Sequence, residues 1–453
     1  MNTLPIDRTI RDFARIFKNN GHALYIVGGA VRDALLGRPL SDYDFSTDAT
    51  PGEMKSMFRS VIPTGIAHGT LTILFEGEMF EVTTFRTDGD YIRHRKPSQV
   101  RYITDLKEDL KRRDFTINAL AVDPDDGTVY DYVEGKQDLK RKLIRSIGDP
   151  HVRFHEDALR MLRACRFAAT LSFSVDERTL EAMSEMHHLL SHVSGERVHI
   201  ELFKILSSPV PSVALFLMHR TRILETLFPE IAAGDQVQQR ELHIHDVMTH
   251  NFYACDAAPR TEPLVRLAAL LHDVGKTYTR TVDDTGQLIF HNHEKESVKI
   301  ARRILKRIKC SNDEVETVLH LVGHHMFHYT SEWSDAAVRR FIHGVGEKHI
   351  DQLFSLRIAD IRATNKAQVP PEMFQEFRDR IDEQLRNARL LSLRDLEING
   401  NDLAGIGIPK GPQMGKVLNE LFETVLDDPS QNTRQKLLEI AKKYWETRMN
   451  LIL

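Results

Sequence analysis

The chain has no apolar run approaching the roughly 20 residues that span a bilayer, and its opening "MNTLPIDRTIRDF" lacks the apolar centre of a secretory signal. Both absences argue against membrane insertion and export, and a cytoplasmic location is expected. Cysteine is scarce: Cys165, Cys255 and Cys310 are the three in 453 residues. They are widely separated, form no CxxC pair and are odd in number, so reduced core thiols are expected rather than a disulfide framework. No repeat of fixed period is visible, which argues against a solenoid. A formal net charge of -4 is inconsistent with a surface coated in positive charge. Nothing in the pattern calls for an obligate protein partner.

What is present is locally basic. "YIRHRKPSQVRY" and "EDLKRRDF" fall between residues 91 and 115, and "IARRILKRIK" spans 300–309. Each reads either as a solvated helix face or as a contact for a polyanion. The length exceeds what one hydrophobic core serves, so two to four domains are expected. The first part alternates strand-like runs with turns: "ALYIVGG", "GTLTILFEGEMFEVTTF" with an EGE turn, and "INALAVDPDDGTVYDYV" with a PDDG turn. From about residue 150 the apolar residues recur three and four apart, as in "EDALRMLRACRFAATL". A short hairpin is expected at "RTVDDTGQLIFHNH", a linker at "NKAQVPPE" and a loop at "GIGIPKGPQMG". The fold class is α+β, a mixed-sheet head followed by helices.

The densest chemistry lies in "IVGGAVRDALLGRPLSDYDFSTDATP", residues 26 to 51. A buried strand ends at Gly28 and Gly29, where missing side chains let backbone approach a bulky ligand. The helix that follows offers its N-terminal amides to a phosphate, with Arg32 as a mobile cation beside them. In "SDYDF", Asp42 and Asp44 stand at strand spacing and point to one face. Such a pair suits Mg²⁺, and two ions about 4 Å apart would activate a hydroxyl and steady a leaving pyrophosphate. Alternatively "SDYD" is a solvated turn. Glu81 in "MFEVTTF" is a possible third carboxylate or an outward-facing strand residue.

Two more motifs offer polar groups at useful spacing. In "RRDFTINALA", Asp114 and Asn118 share a face if helical, with Arg113 adjacent, an arrangement able to grip a ribose. Asp114 as a helix cap is the bland alternative. In "FHEDALRMLR", Glu156, Asp157 and Arg160 sit on one side of a helical turn, and Arg163 extends that face. Acceptors on Asp157 beside the donor fork of Arg160 suit the reading of a base edge. Surface ion pairs are the alternative.

Together "GGAVRDALLGRPLSDYDF", "RRDFTINALA", "GDPHVRFHEDALRMLRACRF", "GPQMGKVLNEL" and "NTRQKLLEIA" resemble the class II tRNA nucleotidyltransferases and bacterial poly(A) polymerases over nearly the whole chain. The resemblance implies a nucleotidyltransferase head (1–145), a helical neck with the base-selecting motif (146–228), a helical body (229–370) and a tRNA-binding tail (371–453). It implies use of CTP and ATP with Mg²⁺ to add CCA, or its terminal A, to tRNA 3′ ends. It assigns sugar recognition to Arg113, Asp114 and Asn118, and base selection to Glu156, Asp157 and Arg160. The loop "RTDGDYIRHRKPSQVRYITDLKEDL" resembles the flexible element needed for A addition, with Arg93 where an acidic residue is more usual. Poly(A) polymerase is the near alternative, and RNA contact is expected around Lys410 and Lys416 in the tail loop.

A second cluster is histidine-rich. His250, His272-Asp273 in "LLHDVGK", His293, His324-His325 and Asp360 resemble the pattern of HD-type phosphohydrolases. The metal set expected is His250, His272, Asp273 and Asp360, whose imidazoles favour Ni²⁺, Mn²⁺ or Co²⁺ over Mg²⁺. Core packing is the other reading. Metal phosphohydrolysis as the main activity, or RNA binding without catalysis, are the competing function classes.

Overall fold

The structure is a computed structural model that describes residues 4, 6–39, 43–66, 69–88, 91–92, 96–97, 100–240, 243–365, 374–387 and 393–449. Asp42, Arg93 and the expected linker at 366–372 lie outside the described residues. The chain divides into two compact units: 1–235 with 303–310, and 236–302 with 311–453.

The first unit opens with a helix at Arg8–Asn19, capped by Asp7 accepting from the Thr9 amide. A mixed seven-stranded sheet follows: β1 (Leu24–Val27), β2 (Asp44–Thr47), β3 (Val61–Gly65), β4 (Thr70–Phe75), β5 (Glu78–Thr84), β6 (Leu120–Val122) and β7 (Val129–Asp131). The order across the sheet is β7-β6-β1-β2-β5-β4-β3. β2 and β5 run parallel, and the other pairs are antiparallel. Phe13 of the first helix is fully buried against Phe45 and Phe80, with ring centroids 5.4 and 4.7 Å away. This aromatic cluster covers one face of β2 and β5 and holds their adjoining edges still. Helices Pro150–Glu156, Leu159–Leu171 and Gly195–Leu206 complete the part that bears on function.

In the second unit, helices Val247–Ala257, Pro263–Leu271, Asn312–His324 and Ile350–Asn365 pack against one another. The expected hairpin is present as Thr281–Val282 with Leu288–Ile289. A separate tail core gathers Leu403, Leu421, Val425, Leu437 and Ala441. The run 300–309 lies on an amphipathic pattern in which Ile304, Leu305 and Ile308 are buried and Arg302, Arg303 and Lys306 are exposed.

Candidate functional site

Gly28 ends β1 with φ 74°, a left-handed conformation that a side chain would strain. A Cβ there would lie 3.2 Å from Arg113 Nη1 and 3.8 Å from Asp44 Oδ2, so bare backbone runs beneath both groups. Asp44 opens β2, and its register partner on parallel β5 is Glu81. Burial raises the Glu81 pKa, and the charge of Asp44 raises it further. Two carboxylates side by side on these neighbouring central strands fit a shared hard cation such as Mg²⁺.

Gly28, Asp44 and Arg113, but not Glu81, border a cavity of about 430 Å³, lined among the described residues by seven arginines and three aspartates. Asp114 is buried; its Oδ1 accepts from the Phe115 amide at 2.7 Å and from Asn118 Nδ2 at 3.1 Å, and its Oδ2 accepts from Arg163 Nε at 2.7 Å. Burial alone would raise its pKa, but Arg163 and the hydrogen bonds outweigh burial and hold it near 2. Asn118 Oδ1 accepts in turn from Arg32 Nη1 at 2.7 Å, and Arg32 also grips Asp33. Arg163 reaches towards Glu201, a buried carboxylate that accepts from Arg166 Nε at 2.6 Å. Asp157 is held by both terminal nitrogens of Arg197, at 3.1 and 2.8 Å, and caps Leu159. Arg160 donates to Glu156 at 2.6 Å and to the carbonyls of Arg153 and Arg112.

The second unit contains a buried imidazole and carboxylate cluster. His250 Nε2 lies 3.2 Å from His272 Nε2, 3.5 Å from Asp273 Oδ2 and 3.2 Å from Asp360 Oδ1. His272 Nε2 lies 3.3 Å from Asp273 and 3.6 Å from Asp360. On the other oxygen of Asp273, His293 Nε2 stands at 3.2 Å and His325 Nε2 at 3.6 Å, and those nitrogens are 3.3 Å apart. Lys276 holds Asp273 at 2.6 Å and Arg357 holds Asp360 at 2.7 Å. Burial disfavours a charged His272, yet Asp273 and Asp360 outweigh it and raise its pKa to about 10. Burial also opposes charge on Asp273 and Asp360, but the surrounding imidazoles, and Lys276 at Asp273, keep both well below the carboxylate range. Gly275 lets these segments meet, because a Cβ there would lie 2.3 Å from the His293 carbonyl oxygen. A cavity of about 390 Å³ borders the cluster.

Comparison with known proteins decides the family. The CCA-adding enzyme of Pediococcus pentosaceus is 35% identical over 424 residues, covering 93% of this chain and 94% of that one. This chain belongs to the CCA-adding enzyme family. The CCA-adding enzyme of Bacillus subtilis is 34% identical over 429 residues, covering 94% and 96%. The crystal structure of the Bacillus stearothermophilus CCA-adding enzyme in complex with CTP superposes with a TM-score of 0.75 at 28% identity, covering 98% of both chains. Residues 24–145 match the poly A polymerase head domain, 172–234 a probable RNA and SrmB-binding site of polymerase A, and 288–441 a putative domain 2 of tRNA nucleotidyltransferases. The mixed-sheet head followed by helices is the fold of a CCA-adding enzyme.

Within this family fold, the cavity brings together Gly28, Gly29, Arg32, Asp44, Arg113, Asp114, Asn118, Asp157, Arg160 and Arg163 from the sequence reading. Five expectations are corrected. Arg32 is buried and fixed by Asp33 and Asn118 rather than mobile. Asp114 and Asn118 do not share an α-helical face; Thr116–Asn118 is a single 3₁₀ turn, which still brings the two side chains together. Glu156 and Asp157 do not share a helical turn, because one helix ends at Glu156 and Asp157 is extended, with the next starting at Leu159. His324 is exposed and stacks on His320, while its neighbour His325 joins the buried cluster. Lys416 lies on the helix Pro412–Asp427 rather than in a loop; Lys410 precedes it, and both are exposed. Arg197 and Glu201 were missed by sequence reasoning; both sit in "GERVHIELFKIL", whose amphipathic pattern resembles an ordinary packed helix.

No helix of the described residues is long and apolar enough to cross a membrane.

Proposed function

We propose that this chain builds or repairs the 3′-terminal CCA of tRNA from CTP and ATP without a nucleic-acid template. The observation that carries this reading is a single cavity in which Asp44 at the start of a central strand, an excess of arginine and a hydrogen-bonded Asp157 face the same space. Guanidinium forks suit a nucleoside triphosphate, whose charge outweighs that of the three aspartates. Mg²⁺ held by Asp44, with Asp42 and Glu81 as further donors, would favour loss of the hydroxyl proton and neutralise charge on the leaving group. The tRNA 3′ oxygen bonds to the α-phosphorus as the bond to the pyrophosphate breaks. Gly28 lets the triphosphate approach the backbone beneath Arg113. Arg32, Asn118, Asp114 and Arg163 form one hydrogen-bonded chain that keeps the sugar-facing groups in fixed orientation. The clamp of Arg197 fixes Asp157, leaving its remaining lone pairs to accept from a base amino group.

Contacts with tRNA rest on shape and phosphate charge, to which the exposed Lys410 and Lys416 contribute. The test uses transcripts ending before CCA, after C and after CC, each with CTP, ATP or both. Completion to CCA followed by arrest supports the reading. A growing run of A would instead identify a poly(A) polymerase.

A second reading, favoured by the buried imidazole and carboxylate cluster, is that the second unit binds a transition metal and hydrolyses phosphate esters. Water adds to phosphorus, the ester oxygen departs with a proton, and the products are an alcohol and a phosphate. His250, His272, Asp273 and Asp360 are the ligands this reading assigns. Turnover of 2′,3′-cyclic phosphates or phosphomonoesters with Ni²⁺, Mn²⁺ or Co²⁺ supports it, and absence of turnover with all three removes it.

A further inference from the structure

We infer that the exposed face of β3, β4 and β5 is a platform for the single-stranded 3′ end of the tRNA, with Thr72 beside the last ribose and Ile62, Leu74 and Met79 under the bases before it. The inference rests on the proposed transfer chemistry at Asp44 and assigns the path by which the acceptor strand reaches it.

Strand register is the first argument. Residues paired side by side share one face of a sheet. Asp44 pairs with Glu81, Glu81 with Thr72 and Thr72 with Ile62, so these four form one row across β2, β5, β4 and β3. At about 4.8 Å between strands, the row runs roughly 14 Å from Asp44 to the sheet edge, room for more than one nucleotide. Leu74 and Met79 pair in the next row of the same face. The opposite face carries Leu71, Ile73, Phe80 and Val82, all buried, with Phe80 against Phe13 of the first helix. The face that carries the row is open: Ile62, Leu74 and Met79 are 49, 46 and 69% exposed.

The direction of the chemistry is the second argument. In-line displacement puts the attacking oxygen and the leaving pyrophosphate on opposite sides of the phosphorus. The arginine cavity that suits the triphosphate lies on the Gly28 side of Asp44, and Gly28 ends β1, one neighbour of β2. The hydroxyl therefore arrives from the other neighbour, β5, where Glu81 stands outside the cavity. A protein seated along this row would cover Glu81 and block the transfer, so the occupant is the substrate strand itself.

Composition decides which part of the strand is held. β3, β4 and β5 contain no lysine or arginine, and Glu78 and Glu81 add negative charge, so the face takes bases and sugars rather than phosphates. Adjoining apolar side chains exposed to water fit the faces of unpaired bases. Thr72 Oγ1 lies 3.0 Å from Thr64 Oγ1, and a hydroxyl pair that shares one hydrogen keeps the other to donate to a ribose oxygen. The edge strand is a poor template for a second copy of the chain. Pro63 has no amide hydrogen to donate, and the register shifts between Ile62 and Gly65.

The test uses the full chain, a tRNA transcript ending after CC, and saturating ATP. Leu74→Ser with Met79→Ser should lower the single-turnover rate of A addition about 10-fold, because the terminal hydroxyl is no longer held in line. Thr72→Val should lower it about threefold through one lost hydrogen bond. The tRNA Kd, its salt dependence and the KM for ATP should stay at parent values, with circular dichroism and Tm confirming the fold. A second measurement needs no loss of rate: in Met79→Cys, alkylation at position 79 should be slowed by the transcript ending in CC and not by one trimmed of its unpaired 3′ nucleotides. Parent rates in the serine and valine variants, or equal alkylation with both transcripts, overturn the platform. A parent chain that sediments as a dimer and becomes a monomer in the serine variant gives the face to a second copy and also overturns it. Failure of the parent to add A overturns the transfer reading beneath it.

Discussion

The arginine-rich cavity of the first unit and the histidine cluster of the second are both polar sites inside packed structure, but they balance charge in opposite ways. In the first, Asp114, Asp157 and Glu201 are held by Arg163, Arg197 and Arg166, and arginine remains in excess. In the second, Asp273 and Asp360 have Lys276 and Arg357, yet four imidazoles still turn Nε2 inward against them. The charge balance of the first suits an anion, and the inward imidazoles and carboxylates of the second are the donor types of the metal site proposed above. Both follow from the cost of burying charge without a partner.

The largest expected break in this comparison is at Asp44. Asp44→Ala, or Asp42→Ala, should lower nucleotide addition by about 10³-fold or more while fold and tRNA affinity persist. Primer extension on a transcript lacking CCA checks this, and addition near the parent rate would remove Asp44 from the chemistry. Next is Asp114. Its native pKa near 2 lies below its unfolded value, so its ion pair contributes stability above about pH 4 and loses it as pH falls towards 2. Asp114→Asn should cost about 2 kcal/mol at neutral pH and flatten that acid limb in urea unfolding. An unchanged limb would mean the pair contributes nothing.

Smaller effects sharpen the contrast. Asp157→Ala and Arg197→Ala should each reduce discrimination of CTP and ATP against UTP and GTP by about 10-fold, read from competing single additions. Lys410→Ala with Lys416→Ala should weaken tRNA binding several-fold and shallow its salt dependence, with a slope change of about one per lost phosphate contact. The smallest effect is expected where the two sites are meant to be independent. His272→Ala with Asp273→Ala should leave CCA addition within about twofold of the parent, provided a melting curve shows the chain folded. A large loss in a folded double mutant would join the two sites into one mechanism.

How much could be read in advance depends on whether a feature is local. The hairpin around Glu76 and Gly77, the strand before Gly28 and the helical periodicity after residue 150 follow from patterns of two or 3.6 residues, and these elements are present. The break between Glu156 and Asp157 is not local, because "FHEDALRML" suits one continuous helix and tertiary contacts interrupt it. Arg197 joins Asp157 from 40 residues away, and spacing carries no trace of that pairing. Arg32 looked free because its partner Asn118 is 86 residues distant. In the doublet His324-His325, chemistry is identical, and only the rotation at the end of the helix Asn312–His324 sends one ring to solvent and the other inward.

Gly275 brings no donor atom to the histidine cluster, yet the cluster depends on what that position omits. Its missing Cβ leaves the His293 carbonyl and the Ser297 amide, 2.3 and 2.6 Å from where it would stand, close against the turn that carries Asp273. In a saturation scan read by metal content, position 275 should therefore rank with the ligands themselves, and alanine there should be as damaging as loss of an imidazole. Such a site is inherited partly as an empty volume, which no comparison of functional groups would detect.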